Sequence, residues 1–275
     1  MNLHVPQKFQ FKDIINNLPI IVKPIDAYSG LGISILKEQN KDEIEKVIDY
    51  AQENSLSKKY VLEEFVQGQL YSHSAFIVNH EIIIDFFVEE HCVVNPYAVD
   101  TSKIAYEFDE KIKSDIRDDI TKMAKELKLV DGLIHTQFIY DGKSFWIIEV
   151  NRRCPGDLYS KLIELSTGFP YAEFYARPFL NISNQIQIPT LKESLVLRHT
   201  ITSQDKISFS SISFNSPKNI IKHVPLSTSG DVMEKSPKGR MGILFLSENT
   251  KEDFNITFKE TLERNLYNLE LIDDC

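Results

Sequence analysis

The sequence predicts an α+β fold: a small α+β unit, a larger unit built on an antiparallel sheet, and a small β-rich appendage at the C-terminus. Three observations carry this expectation. Short apolar strands alternate with two long amphipathic helical patterns. Turn signals at Asn79–His80 and Asp141–Gly142 fold neighbouring strands into hairpins. After Asn181 the chain becomes an alternating, Ser- and Thr-rich stretch.

Taken in order, residues 20–24 (IIVKP) form a short buried strand ended by Pro24, which cannot continue a hydrogen-bonded ladder. The polar glycine turn IDAYSGLGISIL leads to a second strand at 33–36. A helix begins at Asn40, with Glu43 at capping-box spacing and Ile44, Val47, Ile48 and Ala51 on one face. Residues 60–66 (YVLEEFV) are a third strand. Two strands between Leu70 and Val88 turn at Asn79–His80, and 91–109 reads as irregular. Ile112, Ile116, Ile120, Met123 and Leu127 mark a second helix ending at Asp131–Gly132. Strands at 134–140 and 144–150 flank Asp141–Gly142. Asp157 caps a helix carrying Leu158, Leu162, Ile163 and Leu165 and stopped by Gly168. Residues 191–246 alternate, with turns at Pro217, Gly230 and Gly239, and a closing helix covers 251–266. The expected division is 1–67, 68–185 and 186–275.

Composition narrows the partners. The 275 residues are 42% hydrophobic and 11% aromatic, enough for a large core and too apolar for a mainly disordered chain. Lys plus Arg number 31 against 40 Asp plus Glu, a net charge of −9, which argues against nucleic acid as a main partner. Apolar runs such as 81–88 fall well short of the roughly 20 residues that cross a bilayer, so no membrane partner is expected. The opening MNLHVPQKFQFKD has no apolar signal segment. Cys92, Cys154 and Cys275 are an odd, scattered set, neither a disulfide framework nor a zinc site, and the expected compartment is a reducing cytoplasm.

Three groups of residues can carry chemistry. Lys23 ends a strand just before Ser29-Gly30-Leu31-Gly32, a lysine beside free backbone amides that suits a polyphosphate; by itself such a pairing is more often a solvated loop. Glu63, Glu64, Phe65 and Val66 combine apolar side chains, strand backbone and carboxylates, as an adenine site requires, though an edge strand with two exposed acids has the same appearance. Gln137, Glu149, Asn151 and Arg153 are more specific. Glu149 and Asn151 leave one strand by the same face, oxygen ligands of this kind suit Mg2+, and Arg153 adds a planar fork for a phosphate or carboxylate. A polar strand end is the competing reading. Parity constrains the set, because a two-residue Asp141–Gly142 turn puts Gln137 and Glu149 on opposite faces. An odd connection or a bulge around Asp141–Lys143 is therefore expected, and an even, unbulged hairpin would take Gln137 out of the metal site.

In order, the segments VKPIDAYSGLGIS, VLEEFVQG, HTQF and IIEVNRRCPGD resemble the ATP-grasp superfamily of ATP-dependent carboxylate–amine and carboxylate–thiol ligases, over roughly residues 5–180. EVNRRCPGDLYSKLIELSTGFPYA looks most like the matching region of carbamoyl-phosphate synthetase large subunits. The resemblance implies the ATP-grasp fold, with a lid subdomain (1–67) and a core subdomain (68–185). It implies ATP as cofactor, contacted by Lys23 at the phosphates, by Ser29, Gly30 and Gly32 in the closing loop, and by Glu63, Glu64, Phe65 and Val66 around the adenine. Mg2+, with Mn2+ as the alternative, is implied on Gln137, Glu149 and Asn151. Arg153 and Lys23 are implied as catalytic residues in forming an acylphosphate from a small-molecule carboxylate, which an amine then opens.

Departures from the pattern matter as well. Leu70 stands where many members place a ribose-binding acid, and Arg152 replaces the proline of the family's Asn-Pro-Arg pattern. The chain starts where the lid subdomain starts, so the N-terminal α/β domain of the family is expected as a missing part, as a partner chain, or as lost in a reduced member; a homodimer is also compatible. The competing function is a degenerate nucleotide-binding module without catalysis. A nicotinamide oxidoreductase is disfavoured because no strand–GxGxxG–helix unit is present. His135 and Cys154 read as packing residues, and Arg198–His199 as a solvated strand edge.

Overall fold

The computed structural model describes residues 3–28, 30–182 and 188–272. Two compact units emerge, one from His4–Gly68 with Ile139–Ile148, the other from Gln69–Phe138 with Glu149 onward.

The smaller unit is a four-stranded antiparallel sheet of β1 (Lys8–Phe9), β2 (Ile20–Pro24), β3 (Ser34–Leu36) and β4 (Tyr60–Glu64), in the order β1-β4-β2-β3. Helix α1 (Lys41–Glu53) lies between β3 and β4 in the chain. It starts where expected, because the Asn40 carboxamide oxygen accepts the amides of Asp42 and Glu43 at 3.0 and 3.3 Å. Ile44, Ile48 and Ala51 of α1 pack on Ile20, Val22, Leu36 and Leu62 of the sheet. Asp26, just past β2, accepts from the Ser55 hydroxyl and the amides of Leu56 and Ser57, which fixes the segment after β2 to the loop between α1 and β4. Gly68 runs so close to Tyr140 that a Cβ there would sit 2.4 Å from its carbonyl oxygen.

The rest of the chain supplies β5 (Gln69–Val78), β6 (Glu81–His91), β7 (Thr101–Ile104), α2 (Glu110–Glu126), β8 (Gly132–Tyr140), β9 (Phe145–Asn151), α3 (Tyr159–Thr167) and α4 (Tyr171–Ala176). It continues with β10 (Leu195–Ile201), β11 (Ile207–Phe214), β12 (Ile220–Pro225), β13 (Val232–Met233), β14 (Gly242–Glu248), α5 (Lys251–Leu262) and β15 (Tyr267–Leu271). An eight-stranded sheet has the order β12-β14-β10-β7-β6-β5-β8-β9, and β13-β11-β15 form a separate three-stranded sheet. The β8–β9 tip, Ile139–Ile148, belongs to the smaller unit.

Strand alternation divides the larger unit into two cores. Val196 of β10 and Ile243 and Phe245 of β14 join Phe76, Phe86, Val88 and Leu133 beneath Leu162 and Ile163 of α3 and Phe174 of α4. Their neighbours Leu197, Ile201, Leu244 and Leu246 face the other way, against Phe254 of α5 and Phe209 of β11. Among the described residues no helix is long and apolar enough to cross a membrane.

Four expectations need correcting. The stretch 186–275 is not a separate appendage, since β10, β12 and β14 complete the large sheet and β10 pairs directly with β7. The region 91–109 contains β7, hidden because Thr101 and Ser102 spend their side chains on His199 and Arg198 rather than on apolar packing. The last helix ends at Leu262, where Arg264 turns left-handed (φ 61°) and the chain continues into β15. Asp157 caps nothing: Leu158 is the N-cap of α3, no side chain caps it, and Asp157 instead binds two arginines.

Candidate functional site

On the face of the large sheet that carries α3, residues of one parity run from an apolar end to a polar end. Phe76, Phe86, Val88 and Leu133 are core; continuing along the same strands, Ser72, Glu90 and Gln137 emerge on the same face. Glu90 is 4% exposed. Its carboxylate accepts from the Ser72 hydroxyl at 2.9 Å and from Gln137 Nε2 at 2.7 Å. Burial raises its pKa; the bonds from Ser72 and Gln137 and the charge of Arg198 pull against that, while the charge of Glu149 adds to it. Gln137 is thus bonded to a buried carboxylate that also feels the charge of exposed Glu149.

Beyond Glu149, Asn151 donates Nδ2 to Glu149 Oε1 at 3.1 Å and accepts the Arg153 amide on Oδ1 at 3.2 Å. Arg153 is exposed and donates from its guanidinium to the carbonyl of Cys154 at 3.3 Å. Arg152 is committed to structure, donating to the carbonyls of Leu133, Val130 and Asp131, where it closes the passage from α2 into β8. The expected odd connection before β9 is not what forms. The Asp141 amide donates to Ser144 O, and its carboxylate accepts the amides of Lys143 and Ser144, so the two central turn residues are Gly142 and Lys143. The two-residue turn by itself pairs Gln137 with Ile148 and puts Gln137 and Glu149 on opposite faces, the case in which Gln137 leaves the metal set; the charge of Glu149 is felt at Glu90, to which Gln137 is bonded.

Glu90 was not singled out by sequence, and neither was the cluster beside it. Arg198, expected at a solvated edge, is 2% exposed. It donates to Asp157 O at 2.5 Å, Ser102 Oγ at 3.0 Å and Thr200 Oγ1 at 2.7 Å, and its guanidinium lies 3.5 Å from the Asp157 carboxylate, which also holds Arg240. The only sequence signal was an arginine in an otherwise apolar-leaning strand, which is unreadable until β7 and β6 are placed beside it. His135 is buried, pairs with Ser74 Oγ at 2.8 Å, and burial pushes its pKa down to about 3, so it is a neutral core residue as expected. Cys154 packs against the α3 core, with its thiol pKa raised by burial.

In the smaller unit Lys23 Nζ and Glu63 Oε2 form an ion pair at 2.6 Å, so two residues expected at opposite ends of a nucleotide hold each other. Glu64 is exposed and accepts the Gln7 amide at 3.3 Å. Phe65 and Val66 are half-buried past the end of β4, with the Phe65 amide donating to Pro19 O. Ser29 lies outside the described residues. Gly30 and Gly32 both have positive φ, 71° and 78°. At Gly32 a Cβ would lie 2.8 Å from that of Asn54, so glycine is required there by the protein's own packing.

Among the described residues no three His, Cys, Asp or Glu side chains cluster as a metal site. The donor set present is two carboxylates, Glu90 and Glu149, with the amides of Gln137 and Asn151. That all-oxygen chemistry, with two acids repelling each other, fits a hard divalent cation.

The chain is 25% identical over 170 residues to the carbamoyl phosphate synthase large chain of Agathobacter rectalis, covering 60% of this chain and 15% of that one. It is 28% identical over 167 residues to a D-alanine–D-alanine ligase of Wolinella succinogenes, covering 58% and 47%. It thus spans less than half the length of either curated relative. Among solved structures, the L-amino acid ligase from Bacillus licheniformis matches with a TM-score of 0.73 at 16% identity, over 99% of this chain and 69% of that one. Phosphoribosylglycinamide synthetase from Anaerococcus prevotii matches at 0.65 and 18%, over 98% and 71%. A family model described as the ATP-grasp domain matches residues 1–157, more than half of the sequence, and the chain belongs to that family.

Proposed function

We propose that this protein is an ATP- and Mg2+-dependent ligase that activates a small-molecule carboxylate as an acylphosphate for attack by an amine, working in the cytoplasm. The observation that carries the reading is the strand-end cluster in which Asn151 bonds both Glu149 and the backbone amide of exposed Arg153. Gln137, Glu149 and Asn151 would hold Mg2+ (or Mn2+), which supplies charge neutralisation at the nucleotide phosphates when bound; with the two-residue turn, Gln137 joins the other two only through a bulge in β8 or β9. Ser72 and Glu90 fix the Gln137 amide, so its oxygen is the atom left to coordinate.

In this reading the residues of the smaller unit, Lys23, Gly30, Gly32, Glu63, Glu64, Phe65 and Val66, bind the nucleotide, and ATP replaces the Lys23–Glu63 ion pair with its own phosphates and adenine amino group. The Ser29 assignment follows the same reading. Arg153 meets the charge that builds on the transferring phosphoryl group. Such transfer depends on positioning and charge rather than on an activated protein nucleophile. Family relatives join carboxylates to amines, and this chain's partners are proposed to be of that class, with a further domain or partner chain, or a second copy, completing the substrate side.

The test is ADP release from ATP and Mg2+ with amino acids and small carboxylates supplied in pairs. ADP formation that requires both a carboxylate and an amine supports the proposal. Nucleotide binding without ADP from any pair across the screen contradicts it.

A further inference from the structure

Behind the sheet face that carries Leu197 and Leu244 lies a cavity of about 230 Å3, bordered by β10, α5, β15 and the segment before β7. It is separate in orientation from the cluster described above: Arg198 and His199 are successive residues of β10, so His199 points into this side while Arg198 points to the α3 side.

One wall of the cavity is a fixed polar chain. The Thr101 hydroxyl donates to Asp100 Oδ1 at 2.9 Å, so it accepts from His199 Nδ1 at 2.8 Å. Burial keeps His199 neutral, with its pKa pushed down to about 3, and Nε2 then accepts the Tyr267 hydroxyl at 2.8 Å. Neither His199 nor Tyr267 has a proton left for a ligand. Two other groups do. Thr202 is 6% exposed and its hydroxyl has no hydrogen-bond partner among the described residues. Arg264 borders the cavity, has no ion-pair partner among the described residues, and its charge is felt by both His199 and Tyr267.

The backbone sets where Arg264 stands. Arg264 occupies the left-handed position that ends α5. Its amide bonds Thr261 O and that of Asn265 bonds Glu260 O, a position where glycine costs least. Lys128 ends α2 in the same left-handed motif, so the backbone fixes the place of Arg264, and the orphaned Thr202 hydroxyl in the same lining is what marks the cavity as polar. Val93, Val94, Leu266 and Leu269 form the remaining apolar lining.

We infer that this cavity binds a small carboxylate with an apolar tail, its carboxylate on Arg264 and the Thr202 hydroxyl and its tail against the valines and leucines. The volume is below the roughly 300–1,000 Å3 of sites for drug-sized ligands, so the ligand is small. The inference is independent of the nucleotide reading.

Titration calorimetry of the full chain with butyrate, and separately with inorganic phosphate, tests it. Butyrate binds one per chain with a dissociation constant of about 1 mM or tighter, more tightly than phosphate, and ADP does not compete. Arg264→Gly leaves the unfolding midpoint in place or raises it, because glycine suits the left-handed backbone, and weakens butyrate about tenfold or more. Thr202→Val, nearly isosteric, also preserves or raises the midpoint, since it removes an unsatisfied hydroxyl, and weakens butyrate by about threefold or more. Equal butyrate affinity in Thr202→Val and the parent overturns the inference, whether or not Arg264→Gly folds. So do unchanged affinity in Arg264→Gly, tighter binding of phosphate, competition by ADP, or no butyrate binding at all.

Discussion

Arg153 is the residue whose role separates a catalyst from a binder. It is exposed, its guanidinium is held among the described residues by the neighbouring Cys154 carbonyl, and its charge reaches as far as buried His135. A cation so lightly engaged is free to meet charge that develops during reaction. Arg153→Ala should lower kcat by about 100-fold while changing the KM for ATP only a few-fold, as expected when an interaction forms mainly in the transition state. Steady-state kinetics at saturating carboxylate and amine checks this, and equal losses in kcat and ATP affinity would make Arg153 a ground-state contact. At this scale spacing alone grouped Glu149, Asn151 and Arg153, which the structure links by hydrogen bonds, while their metal and catalytic roles are the proposal. The sequence was silent on Glu90, because an acid in EEH reads as surface until β5, and β8 beyond it, are placed beside β6, with Ser72 and Gln137 as its partners. It also could not foresee that Lys23 and Glu63 pair with each other, a diagonal contact set by the β2–β4 register of Ile21 with Glu63 and Lys23 with Val61.

Among the elements, α3 shows how a charge network replaces a cap. With Leu158 as N-cap and no side-chain hydrogen bond, the start of α3 depends on Asp157, left-handed at φ 55°, being held by Arg240 and by Arg198 beneath it. Asp157→Asn keeps a residue that tolerates this backbone and removes the charge facing a fully buried guanidinium. It should cost about 2–3 kcal/mol, less than a wholly buried pair because the Asp157 side chain keeps some solvent. Urea unfolding measures it; a loss under about 0.5 kcal/mol would mean that Ser102, Thr200 and the Asp157 carbonyl satisfy Arg198 unaided. The elements recovered from sequence, β2, α1, the β5–β6 hairpin and α2, are those whose apolar period faces a single core. Asn79 and His80 make the hairpin turn with positive φ at both positions, as that turn type demands. Those missed, β7, α4 and β15, are short or polar and exist because of their neighbours. A strand such as TSKI has no readable period when two of its four side chains are spent on a buried arginine and histidine.

For the molecule as a whole, buried titratable groups set its response to acid. His135 and His199 both have pKa values pushed down to about 3, chiefly by burial. Each is neutral when folded and takes up a proton near pH 6.5 when unfolded. Their stabilisation is therefore complete above about pH 6.5 and is lost as pH falls toward 3. Between pH 7 and 5 each should remove about 2 kcal/mol. Glu90 and Asp100, raised by burial, work in the opposite sense above their ordinary carboxylate values, whereas Asp85, lowered by His73 and Arg117 to about 2 despite its burial, adds to the loss below about pH 4. His135→Gln, compared with the parent by urea unfolding at both pH values, should lose about 2 kcal/mol less over that interval, whatever its stability at pH 7. An unchanged difference would mean His135 is protonated in the folded protein. Sequence gave no access to these values, since burial of both histidines depends on strands far apart in the chain.

The central claim is that Gln137, Glu149 and Asn151 hold the cation of a metal nucleotide. Calorimetric binding of a non-hydrolysable ATP analogue, with and without Mg2+, to the parent and to Glu149→Gln addresses it most directly. Mg2+ should tighten the analogue by about tenfold or more in the parent and by little in Glu149→Gln, with metal-free affinity similar in both. The same Mg2+ dependence in both proteins would contradict the account.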